Sequence, residues 1–178
     1  MPDQKKASQL AQEGLAHWEK AELGLATQKT EEAIAVADQN HWATSDYHGQ
    51  LAGIYAQAGR NDKARLHYEK ALFLQLRAGE QEGGIAIIVG RYFLAMHLLK
   101  MGLENEALDA LQPSLRAAPT HWLNGVANAH ILYTLRRFTE AKAAAQLAIA
   151  HAPSPEKVEQ LRDDLNAMLE DTSCAAGG

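Results

Sequence analysis

The chain has 178 residues, of which 47% are hydrophobic, enough for one globular domain with a continuous core. Its formal net charge of −5 gives no basic field for phosphate backbones or anionic lipids, so nucleic acid is not an expected partner. The longest apolar stretch, residues 85–90, is too short for a bilayer span, and no secretory signal follows Met1. Cys174 is the only cysteine, which excludes an intramolecular disulfide. We therefore expect a cytoplasmic protein without membrane insertion.

The first 42 residues predict two helices. Alanine and leucine dominate, and no segment alternates apolar and polar residues with the period of a strand. Apolar residues instead recur at helical spacing in two groups. The first group is Ala11, Leu15, Trp18 and Leu25, and the second is Ala33, Ile34, Val36 and Ala37.

A clearer helix hairpin follows between residues 47 and 76. Gly59 supplies a helix stop between its two helices, and Asn61 or Asp62 supplies the next start. So short a turn makes the two helices antiparallel. The apolar face of the first helix consists of Tyr47, Leu51, Ile54, Tyr55 and Ala58, and that of the second of Ala64, Tyr68, Ala71, Leu72 and Leu76.

The pattern of this hairpin recurs twice downstream. Ala107 occupies the position equivalent to Ala64, at an offset of 43 residues. Ala141 occupies the position equivalent to Ala107, at an offset of a further 34 residues. Self-similarity at this period indicates stacked helical hairpins.

These residues resemble the tetratricopeptide repeat (TPR) family, whose unit of about 34 residues has small side chains at its positions 8, 20 and 27. Repeats that begin at Ser45, Ile88 and Trp122 hold a small residue at all nine of these positions. Small side chains are needed there because the helices approach closely. The nine residues are Ala52, Ala64, Ala71, Ala95, Ala107, Ser114, Ala129, Ala141 and Ala148.

The sequence also departs from the family pattern. Position 4 of the unit, where the family has an aromatic, holds His48, Arg91 and Gly125. In addition, nine extra residues fall around residues 77–84, between the first two copies. This resembles the lengthened repeats found in some members, and it implies a longer second helix, a glycine-rich turn and a longer following helix.

The resemblance implies an all-α fold, an α-α superhelix of stacked antiparallel helix hairpins with eight or nine helices in all. Ser154 followed by Pro155 is a strong start for a final capping helix. We expect a single TPR-like domain over residues 1–171 and a disordered tail. The predicted parts are a divergent helix pair at 7–42, three repeats at 45–155, the cap at 155–170 and the tail at 172–178.

The residues show no constellation typical of catalysis, a cofactor or a metal. None of the eight histidines pairs as His-x-x-x-His, and none shares a helical face with a recognised set of ligands. No nucleophile elbow or dinucleotide fingerprint occurs, and Gly83-Gly84 lacks the Lys-Ser/Thr of a phosphate-binding loop. We therefore expect no enzyme, no cofactor and no metal site.

The segment 85–99 is apolar all round, and such a helix must be covered on every side. In the TPR family, positions 2, 5, 9, 12 and 13 of the unit line a concave groove. The resemblance therefore implies a groove with an apolar, aromatic second half, which suits an apolar or amphipathic peptide. The candidate partner-binding residues are Asp46, Gln57, Val89, Tyr92, Met96, Leu99, Lys100, Val126, His130 and Tyr133.

Several functions remain open at this stage. The first is an adaptor or chaperone that binds a protein or peptide in the groove, with dedicated chaperones of bacterial secretion systems as a special case. The second is a ligand-sensing regulatory module. An RNA-binding repeat is disfavoured, because it needs basic groove residues. The apolar segment 85–99 is equally consistent with packing inside the molecule or with a homodimer interface.

Overall fold

A computed structural model describes residues 2–170, so Cys174 and the predicted tail at 172–178 lie outside the described residues. Within that range the chain forms ten helices and no strand. None of these helices is both long enough and apolar enough to cross a membrane. The helices are α1 (Gln4–Glu19), α2 (Leu23–Val36), α3 (Ala43–Gln57), α4 (Asn61–Arg77), α5 (Ile85–Lys100), α6 (Glu104–Ala117), α7 (Trp122–Thr134), α8 (Phe138–Ala150), α9 (Pro155–Asp164) and α10 (Asn166–Glu170).

The helices group into two compact units, Met1–Gln81 and Glu82–Gly178. In the first unit α1 packs against α2 and α3 against α4, and the two hairpins meet mainly through α2 and α3. In the second unit α5 packs against α6 and α7 against α8, and α7 contacts both helices of the preceding hairpin. The helices α9 and α10 cover α8. The single-domain organisation stays a prediction.

The nine small residues of the repeat pattern lie where the helices meet. Ala71 is 7% exposed, and the other eight are completely buried. The helices pack so closely at these positions that a larger side chain would not fit between them. This explains why all nine positions hold small residues. The lengthened repeat stays a prediction, although α4, with 17 residues, is the longest of the described helices.

The first helix is shorter than the sequence suggested. Leu25 was expected on the same helix as Trp18, but α1 ends at Glu19 and Leu25 belongs to α2. The turn between them uses Ala21 at φ 59°, a conformation usually reserved for glycine, and the Glu22 backbone N–H donates to the His17 carbonyl at 3.0 Å. No glycine lies in this turn, so nothing in the sequence signals that a helix ends there.

The predicted cap begins where expected and is divided into α9 and α10, so that the described residues form ten helices instead of the expected eight or nine. Ser154 is the N-cap of α9, and its hydroxyl accepts the backbone N–H of Lys157 at 3.2 Å. Leu161 of α9, Leu165 between the two helices and Met168 of α10 are buried against α7 and α8. These two short helices therefore close the apolar end of the last hairpin.

Loss of the Ser154 hydroxyl should loosen this cap. We expect Ser154→Ala to lower the free energy of unfolding by about 1 kcal/mol, because one backbone donor of the first turn loses its partner. Ser154→Gly is the matched control, with an expected loss of only a few tenths of a kcal/mol. Chemical denaturation monitored by far-UV circular dichroism measures both. Equal losses in the two variants would contradict the capping role.

Candidate partner-binding surface

Two of the candidate residues, Asp46 and Gln57, lie on α3 in the first unit. Both are exposed, and the Gln57 side-chain oxygen accepts the Trp18 indole N–H at 2.5 Å. The Trp18 ring lies directly against Gly53, where a Cβ atom would approach its ring carbons to 2.4 Å. This side of α3 is therefore partly covered by a side chain of α1.

The other eight candidates lie on α5 and α7 of the second unit, and one of them belongs to the core. Val126 is only 6% exposed and packs among the buried residues of α7, α8 and α9. A partner that binds at the surface of this unit therefore does not reach the Val126 side chain. The other seven candidates on α5 and α7 remain at least partly accessible, and together they form the candidate surface of this unit.

Tyr92 on α5 and Tyr133 on α7 are half-buried aromatic side chains that rest on this core. Tyr92 packs edge-on against Phe93, with ring centroids 5.4 Å apart, and Tyr133 packs in the same way against Phe138 at 5.3 Å. Edge-to-face contacts of this kind fix ring orientation and add to the energy of burial. Each tyrosine ring is therefore held in place, although the residue stays partly exposed.

His130 lies on α7 at a place that the repeat assigns to the groove, and it is half-buried. Burial lowers the pKa of its imidazole, while the negative charge of Asp164 on α9 acts in the opposite direction. Burial also raises the pKa of the Tyr92 phenol, and Asp164 adds to this increase. The Tyr92 hydroxyl therefore stays protonated near neutral pH, and the capping helix places a carboxylate within electrostatic range of both side chains.

The remaining candidates follow the length of α5. Val89, Met96 and Leu99 are half-buried, and Lys100 is exposed at the end of the helix. The expectation that α5 is covered on all sides is only partly met. Its buried side includes Ile87, Ile88, Leu94 and Leu98, whereas Ile85 is 63% exposed and Phe93 is 49% exposed.

Asp164 is the residue of this surface that sequence reasoning missed. The pair Asp163-Asp164 lies outside the three repeats, in the segment predicted to be a cap, and the groove positions of the family include no residue of that cap. Its approach to Tyr92 and His130 depends on how α9 docks on α8, which no spacing in the sequence reveals.

Potential metal ligands do not gather in the part of the chain from residue 2 to 170. No group of three or more histidine, cysteine or acidic side chains there is arranged to hold an ion. Two histidines do meet, since the Nδ1 atoms of His48 and His67 lie 2.8 Å apart between α3 and α4. A pair of imidazoles alone leaves a tetrahedral zinc site incomplete.

Antiparallel hairpins that pack through small residues define the chain as a helical-repeat protein. The tetratricopeptide repeat model matches residues 45–75, which cover most of α3 and α4. The predicted resemblance to the TPR family is thereby confirmed.

Solved structures extend the likeness over most of the chain. BtubC from P. vanneervenii superposes with a TM-score of 0.73 at 18% identity, covering 90% of this chain and 70% of its own. A chain of nearly identical TPR-like repeats from Podosopora anserina, named for kinesin light chain, gives 0.71 at 13% identity, covering 96% and 94%. The Rap protein complexed with Competence and Sporulation Factor gives 0.69 at 16%, covering 92% and 48%. These likenesses confirm the predicted all-α, TPR-like fold.

Comparison with curated protein sequences finds no match.

Proposed function

We propose that this protein is an interaction module that binds an apolar or amphipathic segment of a partner protein on α5 and α7. The observation that carries the proposal is the pair of partly exposed tyrosines, Tyr92 and Tyr133, whose rings are each fixed by an edge-on aromatic neighbour. Rigid tyrosines give large contact areas at low entropic cost, which makes them frequent anchors of protein interfaces. Met96 adds an adaptable apolar contact between them in the repeat register.

The chemistry of this surface indicates which kind of partner segment it would bind. The Tyr92 phenol is a neutral hydrogen-bond donor, and burial favours the neutral form of His130. The carboxylate of Asp164 disfavours a terminal carboxylate of the partner in this place, and the positions that hold such a carboxylate in some TPR proteins carry Gly49, Tyr92 or Val126 where lysine would be required. An internal apolar segment therefore fits better than a chain terminus.

The fold supports the same role. Among the structural neighbours, the Rap protein has been solved as a complex with Competence and Sporulation Factor. We infer a cytoplasmic adaptor or chaperone without catalytic activity, since the repeats offer a binding surface and the sequence carries none of the catalytic motifs named above. A homodimer through α5 is the competing use of the same residues.

Affinity capture from the native cell extract tests the proposal. Tyr92→Ala combined with Tyr133→Ala should reduce recovery of the specific partner at least about tenfold, because truncation of a buried aromatic anchor costs about 1 to 2 kcal/mol or more. Trp42→Ala is the matched control, since this aromatic is 71% exposed on the first unit. Equal recovery of every protein by the double variant and the wild type would contradict the proposal.

Two further measurements separate loss of binding from other causes. Tyr92→Phe with Tyr133→Phe keeps both rings in the core and should retain most of the binding, which distinguishes anchoring from unfolding. Light scattering of the purified chain reports the homodimer. A dimer that dissociates in the double alanine variant would assign these residues to self-association.

A further inference from the structure

The outer face of α4 carries an exposed apolar stripe in the first unit. Leu66 is 62% exposed and Phe73, two turns further along, is 54% exposed. Both side chains point away from the side on which Ala64 and Ala71 are buried against α3. A leucine and a phenylalanine seven residues apart lie on the same face of a helix, about 10 Å apart along its axis. The packing of the first unit leaves this stripe uncovered.

Positive charges border the stripe along one edge. The Lys70 ammonium lies 5.4 Å from the centre of the Phe73 ring, and the Arg77 guanidinium lies 5.9 Å from it. Arg77 also donates to the Gln39 carbonyl and to the Asn40 side-chain oxygen, at 3.0 and 3.1 Å. These partners are neutral, so they orient the guanidinium without cancelling its charge.

The opposite edge of the stripe carries little net charge. Glu69 accepts from Arg65 of the same helix at 2.8 Å, which offsets its carboxylate locally. Over its whole length α4 has four cations, Lys63, Arg65, Lys70 and Arg77, against the two anions Asp62 and Glu69. This positive helix belongs to a chain whose formal net charge is −5.

From this arrangement we infer a second docking surface, on Leu66, Lys70, Phe73 and Arg77, that binds an acidic amphipathic helix of another protein. The partner helix places apolar side chains on Leu66 and Phe73 and glutamate or aspartate beside Lys70 and Arg77. A second copy of this chain is a poor occupant through the same face, since two α4 helices each carry excess positive charge. An anionic membrane is also disfavoured, because the apolar stripe is narrow and the whole chain is negative.

Fluorescence anisotropy with synthetic peptides tests this surface. The probe is a labelled amphipathic helix about four turns long, with leucines along one face and glutamates along the adjoining edge. Matched peptides carry glutamine or lysine in place of the glutamates. The wild-type protein should bind the glutamate peptide best, and higher salt should weaken this binding, because the attraction is partly electrostatic.

Two variants divide the apolar and the ionic contributions. Leu66→Ser with Phe73→Ser should weaken binding of the glutamate peptide at least about tenfold, as expected for loss of apolar anchors. Lys70→Glu should weaken binding of the glutamate peptide and strengthen binding of the lysine peptide. Leu147→Ser is the control, since this exposed leucine lies on α8 of the second unit.

Several outcomes would overturn the inference. Equal affinity for all three peptides would contradict the proposed docking surface. So would an affinity that the double variant Leu66→Ser with Phe73→Ser leaves unchanged. Binding to vesicles of phosphatidylglycerol and phosphatidylcholine without peptide binding would assign the face to a membrane. A dimer in light scattering that the double serine variant abolishes would assign it to self-association.

Discussion

Replacement of Arg91 by methionine is expected to lower the free energy of unfolding by about 3 kcal/mol. The Arg91 side chain is only 10% exposed, and two of its guanidinium nitrogens donate to the two Glu82 carboxylate oxygens at 2.5 Å. A third bond, 2.7 Å long, reaches the Ala110 carbonyl in α6. Methionine fills much of the volume but leaves both acceptors without these donors, which carries a large cost in a desolvated site. Urea denaturation of the purified variant measures the loss.

Two controls define what this loss means. Arg116→Met removes an exposed arginine of the same unit and should change stability by less than about 0.5 kcal/mol. Glu82→Gln keeps an acceptor for Arg91 and should cost less than Arg91→Met, because the Glu82 side chain is one-third exposed and water compensates part of the change. An Arg91→Met variant as stable as Arg116→Met would show that the ion pair contributes no net stability.

Arg91 illustrates a limit of the repeat pattern. The nine small residues could be predicted because close helix approach allows only small side chains, and their spacing is fixed by helix geometry. Position 4 of the repeat unit, by contrast, accepts side chains of very different size and polarity. His48 pairs with His67, Arg91 bonds to Glu82, and Gly125 lets Ala148 approach so closely that a Cβ atom would lie 2.9 Å from its methyl group. Each solution depends on a residue elsewhere in the chain.

The candidate surface was predictable to a similar extent. The repeat register placed Tyr92, His130 and Tyr133 on the groove side of their helices, and the structure shows all three partly exposed. The register could not reveal that Val126 is buried or that Asp164 approaches His130. Both facts depend on how the cap docks, which long-range packing decides. Whether these residues bind a partner stays a prediction.

The histidine pair of the first unit should make stability depend on pH. The Nδ1 atoms of His48 and His67 lie 2.8 Å apart, so one ring donates and the other accepts. Among the described residues the buried Nε2 of His48 has no hydrogen-bond partner. A bare acceptor nitrogen at that place is less costly than an unpaired N–H, which favours neutral His48 with its proton on Nδ1. A second proton on His48 would then have to bind the buried Nε2, where no acceptor is available to it.

The charges around the pair act in the same direction for His48. Burial, then the charges of His67 and Lys70 on α4, lower the pKa of His48 from 6.5 to about 4. Burial also lowers the pKa of His67, and Lys63 adds to this decrease, while Glu31 on α2 opposes it. A depressed pKa in the folded state means that the unfolded chain binds protons first. The stabilising contribution is therefore complete above pH 6.5 and is lost as the pH falls towards 4.

We expect the free energy of unfolding to fall by up to about 3 kcal/mol between pH 7 and pH 4 from His48 alone. Urea denaturation at a series of pH values measures this slope. His48→Phe supplies the aromatic that the TPR family has at this position and should remove the contribution of His48 to this slope, because no proton can then be taken up at that site. His151→Phe replaces an exposed histidine and is the matched control. A slope between pH 6.5 and 5 that is the same in His48→Phe and wild type would show that His48 is not the source, since carboxylates titrate mainly below about pH 5.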